Sequence, residues 1–453
     1  MTENVAKRRV WGWMMFDWAS QPYATLLLTF IFGPYFAEVV TQSLVNEGME
    51  RPAAAAQAQA YWGYGLTATG LAIAFLAPVL GALADGAGRR MPWIRVFSLF
   101  YIVGAAGLWF TAPDQFSVPL ALMFFGIGLF GAEFATIFTN ALLPTLGPRD
   151  QIGRISGSGW ALGYAGGVLA LALMLLFLAE NANGVTLLGN PPALGLDPEA
   201  REGTRSVGPL TAVWYAVFMI PFFLWVKEPP VPRGAGVRLG DALRDLWNTL
   251  SSLPSNPSFL AYLTSSMFYR DALNGLYTFG GIYALGVLGW SVVEIGVFGI
   301  MAAITGAIFA WVGGRADQRF GPRPVIVTSI IAHLIVCALI VSISRDSVMG
   351  VPLPEGSKLP DILFFVSGGV IGAAGGALQS ASRTMLVLQA NPARMTEGFG
   401  LYALAGKATS FLAPAAIAVA SDVSGSQRVG ILPLIALFLI GLVLLRWVKT
   451  PSD

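Results

Sequence analysis

Charged side chains occur inside stretches of the chain that are otherwise apolar. Asp17, for example, lies in WGWMMFDWASQPYATLLLTFIFGPYF, an apolar and aromatic run long enough to cross a bilayer. An ionised group at that depth costs at least about 2.5 kcal/mol on insertion scales, so it needs a partner, water or a function. Further ionisable residues in comparable positions are Glu133, Arg270, Asp271, Arg383 and Lys407. Together they indicate ion pairing, proton binding or recognition of a charged solute.

The signs of these charges suggest how they could act. Arg383 keeps its proton, so it must pair with a carboxylate of the protein or of a ligand. Glu133 and Asp17 could load and release a proton as access to them alternates. Asn140 and Gln379 offer uncharged hydrogen-bonding groups for a polar solute. The aromatic residues that could surround the apolar part of that solute are Phe16, Tyr23, Tyr269 and Tyr277.

Structural roles are open alternatives for the same residues. Arg383 and Glu133 could form a permanent lock, since intramembrane ion pairs serve both stability and transport. Asp17 could cap a helix that is broken one turn later, or pair with Arg270. The aromatic residues could pack the interior or form interfacial belts. Arg270 and Asp271 are adjacent, so they point in different directions around a helix and need separate partners.

The composition places the chain in a membrane. Of its 453 residues 55% are hydrophobic and 11% are charged, whereas soluble domains have about 25% charged residues. The net charge of +2 argues against a nucleic-acid partner, because no basic face dominates. Cys337 and His333 are single residues of their kinds, which argues against disulfides, Cys/His metal sites and thiol or Ser-His-Asp catalysis. We expect both to be packing residues, and we expect no metal and no cofactor.

Apolar stretches of about 20 residues or more recur twelve times. They lie near residues 10–40, 60–84, 91–112, 117–146, 155–180, 207–227, 257–288, 291–313, 324–344, 361–389, 398–420 and 430–448. The first stretch is too long for a signal-peptide core, so it is predicted to remain as a membrane span. Eighteen of the 27 Lys and Arg residues lie at the termini or in loops on the same side, and six lie in the opposite loops. Because positively charged loops stay in the cytoplasm, both termini are predicted to be cytoplasmic.

A repeated motif follows the second and the eighth span. It reads GALADGAGRR at residues 81–90 and GGRADQRFGPR at residues 313–323. Each copy places an acid four residues after a glycine, and then a glycine and an arginine at the turn. The acid of each copy is predicted to pair with an arginine at the end of the neighbouring helix. The residues of this candidate gating motif are Gly81, Asp85, Gly88, Arg89, Arg90, Asp317 and Arg323.

Further sequence similarities indicate that the two halves of the chain are related. WALGYAGG, from Trp160, resembles YALAGKAT, from Tyr402, and Asp17 precedes Tyr23 by six residues as Asp271 precedes Tyr277. Two six-helix bundles with a site at their midplane are the plan of a rocking secondary transporter. The linker contains RLGDALRDLWNTL, whose leucines share one face, which is typical of a helix on the membrane surface or of a spacer. The predicted domains are residues 1–227, a linker at 228–256 and residues 257–453.

These motifs resemble the major facilitator superfamily, whose loop between spans 2 and 3 has the form G-x-x-x-D-x-x-G-R-R. FDWASQPYATLLLTFIFGPYF, FTNALLPTLGPRDQIGRISGSGWALGYAGG and EGFGLYALAGKATSFLAP are similar to the branch of autophagy-related vacuolar amino-acid effluxers and their bacterial relatives. The resemblance implies an all-α polytopic membrane protein with twelve transmembrane helices in two pseudo-symmetric six-helix bundles. It also implies that spans 1, 4, 7 and 10 line the cavity. The second copy of the motif departs from the family pattern, because it ends in GPR.

We therefore expect a secondary active transporter and no enzyme. The glycine-rich runs GGVIGAAGG and GSGWALGYAGG lie in apolar spans without a preceding strand or a G-K-[ST] ending, so they indicate close helix packing and no ATP site. The expected activity is alternating-access export of a small polar or zwitterionic solute such as an amino acid, with possible proton coupling. Alternatives are an amphipathic drug or lipid as cargo, or a channel or receptor. The expected setting is a monomer in a bacterial inner membrane.

Overall fold

The computed structural model describes residues 3–181, 183–228, 239–290 and 292–449 of the chain. Eleven helical segments within these ranges are long and apolar enough to cross a membrane. A further helix of 27 residues carries Arg270 and Asp271 and is correspondingly more polar. With that helix the architecture agrees with the predicted twelve spans. Residues 229–238 of the predicted linker, including the start of its amphipathic stretch at Arg238, lie outside the described residues.

The apolar stretches of the first half are helical, because they must satisfy their backbone hydrogen bonds internally in lipid. Its helices are α1 (Glu3–Pro22), α2 (Phe32–Asn46), α3 (Arg51–Ala87), α4 (Met91–Gly107), α5 (Val118–Asn140), α6 (Ile152–Leu173), α7 (Glu202–Arg205), α8 (Val207–Phe218) and α9 (Ile220–Trp225). The predicted first span thus consists of α1, a π-helical segment at Tyr23–Phe30, and α2.

The described residues of the second half form eight α-helices and a small hairpin. The helices are α10 (Leu239–Ser252), α11 (Pro257–Tyr283), α12 (Val292–Phe320), α13 (Pro322–Ser342), α14 (Leu359–Gln389), α15 (Met395–Ala408), α16 (Leu412–Ser424) and α17 (Leu432–Leu444). The antiparallel strands β1 (Ser347–Val348) and β2 (Val351–Pro352) form the hairpin. Helix α10 lies within the predicted linker, and the predicted eleventh span is divided into α15 and α16.

Pro22 changes the geometry of the first span. Proline lacks a backbone N–H, so the carbonyl four residues earlier, that of Trp18, loses its helical donor. The indole N–H of Trp214 donates to this carbonyl instead, at 3.2 Å, and the two indole rings stack with their centroids 5.6 Å apart. The chain continues after Pro22 as a π-helix of eight residues. A side chain of α8 therefore stabilises the irregular part of span 1.

The chain divides into two compact units. The first comprises residues 1–76, 87–140 and 162–235, and the second comprises residues 77–86, 141–161 and 236–453. Two short segments of the first half, 77–86 and 141–161, thus belong with the second half. The predicted division at residues 227 and 257 stays a prediction.

His333 and Cys337 lie on α13, and neither side chain is exposed. His333 stacks on Phe438 of α17 with ring centroids 5.1 Å apart, and its Nδ1 donates to the Ser329 carbonyl at 2.7 Å. Both residues pack between helices, as expected from their place in an apolar run.

Candidate functional site

Asp17 lies on α1 against the glycines of α6. It is half-buried, and a Cβ added at Gly163 would lie 3.2 Å from its carbonyl oxygen. Gly166 and Gly167 approach the same turns of α1, since added Cβ atoms would lie 2.7 Å from the Trp18 carbonyl oxygen and 2.9 Å from Cγ of Gln21. The glycine-rich sequence of α6 therefore allows two helices to approach closely, as predicted, and positions Asp17.

The predicted aromatic residues of the first half lie in the interior of their unit. Phe16 is 1% exposed and packs on Tyr215 and Phe222. Tyr23 is 2% exposed, and its hydroxyl donates to the Phe125 carbonyl of α5 at 2.6 Å. The ring of Tyr23 lies over Gly128, where an added Cβ would be 2.4 Å from the hydroxyl oxygen. Both residues stabilise the packing of the first unit.

Two polar residues of α5 complete the candidate set of the first half. Glu133 is half-buried, in the middle of the helix. Asn140 is the last residue of α5 and is 9% exposed. One turn of helix separates it from Thr136, and the neighbouring Thr139 carbonyl accepts a hydrogen bond from the Trp13 indole at 2.8 Å.

Arg383 is 4% exposed on α14 and contacts the start of α6. Its Nε donates to the Ser156 hydroxyl at 2.9 Å, and a terminal nitrogen donates to the Ser156 carbonyl at 2.7 Å. The Ser156 hydroxyl in turn donates to the Ser380 carbonyl at 2.9 Å. The guanidinium carbon lies 5.6 Å from the centroid of the Trp160 ring. Arg383 of α14 therefore binds α6 through the hydroxyl and carbonyl of Ser156 and the aromatic face of Trp160.

Arg270 and Asp271 take separate partners, as their adjacency requires. A terminal nitrogen of Arg270 donates to the Tyr402 carbonyl at 2.8 Å, and its guanidinium carbon lies 3.9 Å from the centroid of the Tyr402 ring. Asp271 is 2% exposed, and its Oδ2 accepts from the backbone N–H of Ala413 at 2.8 Å. Both residues of α11 thus bind the backbone of the eleventh span, one before its break and one after it.

The remaining candidates of the second half differ in exposure. Tyr269 is fully buried, and its hydroxyl lies 2.8 Å from that of Ser382. Tyr277 is 42% exposed, and a Cβ added at Gly375 would lie 2.0 Å from its hydroxyl oxygen. Gln379 and Lys407 are half-buried on α14 and α15. Tyr277 over Gly375 reproduces in the second unit the arrangement of Tyr23 over Gly128 in the first.

The two copies of the repeated motif share backbone geometry at their turns. Gly88 has φ +65° and Gly321 has φ +82°, in the left-handed region that favours glycine. Each glycine ends a long helix, α3 and α12 respectively, before an arginine of the next turn. The motif therefore requires glycine at these positions because a side chain would strain the turn.

The acid of the first copy, Asp85, binds the N-terminal turn of α15. It accepts from the Thr396 hydroxyl at 2.6 Å and from the backbone N–H of Glu397 at 2.8 Å. An added Cβ at Gly81 would lie 2.7 Å from the Thr396 carbonyl oxygen, so only glycine allows this approach. A carboxylate at this position satisfies an unpaired helix-end donor and matches the helix dipole.

The acid of the second copy, Asp317, lies against the N-terminal turn of α6. It is 4% exposed, and a Cβ added at Gly153 would lie 2.5 Å from its carboxyl carbon. Gly314 and Gly157 touch nearby, since a Cβ on Gly314 would lie 2.8 Å from Cα of Gly157. Each motif therefore places its acid at the start of a helix, a partner that the predicted acid–arginine pairing did not include.

Sequence reasoning also missed Ser156, Thr396 and Ala413. These residues bind Arg383, Asp85 and Asp271 through a hydroxyl or a backbone group. Ser156 and Thr396 each lie in the first turns of a helix that begins with glycine-rich or acidic sequence, which was the available signal. The binding of a backbone N–H such as that of Ala413 cannot be predicted from the residue type, because every residue except proline has this group.

Together with these helices and buried charges, the comparisons with known proteins identify a transporter of the major facilitator superfamily, a class of proteins that are not enzymes. The family model described as "Vacuole effluxer Atg22 like" matches residues 5–452, so the chain belongs to that family. It is 25% identical over 455 residues to the uncharacterized MFS-type transporter YxiO of Bacillus subtilis (strain 168), covering 98% of this chain and 95% of that protein. It is 27% identical to autophagy-related protein 22-2 of Emericella nidulans, over 64% of this chain. The chain spans about half, 51%, of that fungal relative.

Solved structures with the same fold include two transporters. The proton:xylose symporter XylE superposes with a TM-score of 0.72 at 11% identity, covering 99% of this chain and 97% of the symporter. The human organic anion transporter MFSD10 (TETRAN) superposes with a TM-score of 0.70 at 14% identity, covering 98% and 100%. At these identities the likeness establishes the major facilitator fold and leaves the solute open.

Proposed function

We propose that this transporter exports a small polar or zwitterionic solute, such as an amino acid, by alternating access and in exchange for protons. The observation that carries the proposal is the placement of Asp85 and Asp317. Each acid of the repeated motif lies at the first turn of a helix distant in sequence, α15 or α6, beside glycines that allow backbone contact. Such contacts are tight, yet they consist of hydrogen bonds and packing that can open and close, as a gate requires.

Charges of both signs support a zwitterionic solute. Arg383 and Arg270 on α14 and α11 carry positive charge, and Asp17 and Glu133 on α1 and α5 carry negative charge. These helices correspond to the four spans that the superfamily plan assigns to the cavity. A carboxylate and an ammonium group of an amino acid would match the two signs. Export is supported by the effluxer description of the family. A proton gradient is the proposed source of energy.

The proposal also includes the orientation of the protein in the membrane. Both termini and the two copies of the repeated motif would face the cytoplasm, because the basic residues concentrate on that side of the membrane. The protein would act as a monomer in the inner membrane of a bacterium, with helix bundles at residues 1–227 and 257–453.

Transport by purified protein in liposomes tests the proposal. We expect movement of one or more radiolabelled amino acids from a panel, accelerated by an imposed proton gradient. Arg383→Ala and Asp17→Asn should each lower the rate by about tenfold or more, which corresponds to about 1.4 kcal/mol. Asp85→Asn should also lower the rate, because the neutral amide binds the N-terminus of α15 more weakly.

The matched control is Arg345→Ala. This arginine is 49% exposed and pairs with Asp361 at 2.6 Å, so removing it should leave the rate within about twofold of the parent. Hydrophobic compounds in the same assay test the alternative cargo. Transport of those compounds alone, currents far above carrier rates, or undiminished transport by well-folded Arg383→Ala would contradict the proposal.

A further inference from the structure

The eleventh span is broken inside the membrane-spanning stretch. Helix α15 ends at Ala408 and α16 begins at Leu412, with Thr409, Ser410 and Phe411 between them. The break creates helix ends whose backbone groups have no partner within their own helix. The N-terminus of α16 also carries a partial positive charge, and the C-terminus of α15 a partial negative one. The Thr409 and Ser410 hydroxyls donate to the Ala405 and Lys407 carbonyls at the end of α15, and groups outside the span can stabilise what remains.

Two adjacent residues of α11 supply these groups. The Asp271 carboxylate accepts from the Ala413 N–H in the first turn of α16, at 2.8 Å. The Arg270 guanidinium binds the Tyr402 carbonyl and lies against the last turn of α15, where a Cβ added at Gly406 would be 2.7 Å from its carbon. The negative group thus faces the positive helix end, and the positive group lies near the negative end. Through these contacts α11 connects the two helices on either side of the break.

Asp271 is under-satisfied in this position. Its side chain is buried, and its second oxygen, Oδ1, has no hydrogen-bond partner in the described part of the chain. A buried carboxylate normally needs several donors or a cation, because the charged form loses its hydration. One backbone N–H replaces only a small part of the lost hydration. The protonated form of Asp271 can therefore compete in free energy with the charged form.

The charged residues on the surrounding helices have other contacts or lie further away. Arg270 on the same helix binds Tyr402, and Arg383 on α14 binds Ser156. Lys407 lies in the last turn of α15, on the other side of the break, and Asp422 near the far end of α16. Helix α17 has no ionisable residue. The α16 amide is therefore the group whose interaction changes most when Asp271 changes charge.

We propose that Asp271 is the proton-binding site of the carrier, and that proton binding at Oδ1 frees the N-terminus of α16. The step is a proton transfer: a hydronium ion of the aqueous phase gives up its proton, an O–H bond forms at Oδ1, and a water molecule is left. The hydrogen bond from Ala413 weakens because its acceptor is no longer charged. The coupling of this event to solute movement rests on the proposed function, whereas the release of α16 does not. A metal ion fits less well, since it would need several ligands and the described residues contain no cluster of three or more His, Cys, Asp or Glu side chains that could hold one.

Hydrogen exchange followed by mass spectrometry tests the release without any solute. The full chain in lipid nanodiscs is compared between about pH 8 and about pH 5, a range in which buried carboxylates titrate, with exchange corrected for its intrinsic pH dependence. We expect protection of peptides covering residues 409–418 to fall about fivefold to tenfold at low pH, the size that a lost charged cap produces. Protection of α17 should stay constant.

Variants assign the effect to Asp271. Asp271→Asn, which stays neutral but still accepts a hydrogen bond, should show the low protection at both pH values and lose the pH dependence. The matched control is Asp361→Asn, which removes a carboxylate from the first turn of α14 that binds Trp290 and Arg345, and it should keep the pH dependence. If Asp271→Asn does not fold, Asp271→Glu and the wild-type pH series still decide the question.

Three outcomes overturn the proposal. Protection near residue 413 that is constant with pH would make Asp271 a structural cap. A pH dependence retained in Asp271→Asn would assign the proton to another residue. A response to sodium replacing potassium at constant pH, without a response to pH, would make the site a metal-ion site. Release of α16 in a protein that moves no solute would instead support this site and contradict the proposed function.

Discussion

The guanidinium carbon of Arg270 lies 3.9 Å from the centroid of the Tyr402 ring. Arg383 lies over Trp160 at 5.6 Å, and Trp160 and Tyr402 are the first residues of the repeated sequences WALGYAGG and YALAGKAT. The repeat therefore supplies an aromatic face to an intramembrane arginine in each case. Each arginine also donates to a backbone carbonyl. These contacts stabilise the buried guanidinium of Arg383 and the half-buried one of Arg270, in addition to the carboxylate partner that each charge suggests.

Replacing Arg270 by lysine should destabilise the protein by about 1–2 kcal/mol, because an ammonium group neither stacks on Tyr402 nor reproduces the planar hydrogen-bond geometry. Thermal unfolding in detergent, followed by fluorescence, measures the effect. The same change at Arg315, whose guanidinium lies over the exposed Trp311 ring at 3.3 Å, is the control. It should change the unfolding temperature very little. Equal effects at both sites would contradict a special role for the half-buried pair of Arg270 and Tyr402.

Gly376→Ala should force α12 and α14 apart. An added Cβ at Gly376 would lie 2.3 Å from the Gly306 carbonyl oxygen, well inside contact distance. Gly296→Ala on α12 is the matched control, since nothing lies within 4 Å of its added Cβ. The control should gain up to about 1 kcal/mol from helix propensity, whereas Gly376→Ala should lose about 1–3 kcal/mol. Unfolding temperatures of the two proteins that move in the same direction would refute the close approach.

Tyr23 and Gly128 should be energetically coupled. Tyr23→Phe removes the hydroxyl that donates to the Phe125 carbonyl and should cost about 1 kcal/mol. Gly128→Ala places a methyl group 2.4 Å from that hydroxyl oxygen and should cost more. Because both changes concern one contact, the double variant should be more stable than the sum of the single effects predicts, by about 0.5 kcal/mol or more. Strict additivity in unfolding measurements would show that the two residues do not interact.

Cysteine labelling on intact bacterial cells tests the proposed orientation. Cys337 is buried and can be replaced by serine, which gives a background for single introduced cysteines. Lys358→Cys, after the β-hairpin, should react with a membrane-impermeant maleimide from outside. Asp150→Cys, in the loop before α6, should react only after the membrane is permeabilised. The reverse pattern would place both termini outside the cytoplasm.

Hydropathy and repeats were sufficient to predict the helical membrane fold, because each span must be about 20 apolar residues long and each half repeats the other. The turn glycines Gly88 and Gly321 were visible for the same reason, since the repeat places glycine where the backbone needs a positive φ. The resemblance to the family of vacuole effluxers is confirmed over nearly the whole chain.

The partners of the buried charges could not be predicted. The break at residues 409–411 reads Thr-Ser-Phe, and the signals for it are Gly406 in the last turn of α15 and Pro414 in the first turn of α16. They indicate a helix boundary but not the residue that will bind there. Asp271 and Asp85 bind backbone amides, which every residue type except proline provides. Periodicity indicates which face of a helix is buried, but it does not identify which distant helix end a carboxylate will meet.

The stacked pair of Trp18 and Trp214 gives span 1 an intrinsic optical signal. Near-ultraviolet circular dichroism responds to fixed, asymmetric packing of aromatic rings. The Trp214 indole donates to the Trp18 carbonyl that Pro22 leaves without a donor, and its ring stacks on that of Trp18. The difference between the parent spectrum and that of Trp214→Phe isolates their contribution from that of the other tryptophans. Any rearrangement of the bend during turnover should therefore be visible in the unlabelled protein, without a dye or a spin probe.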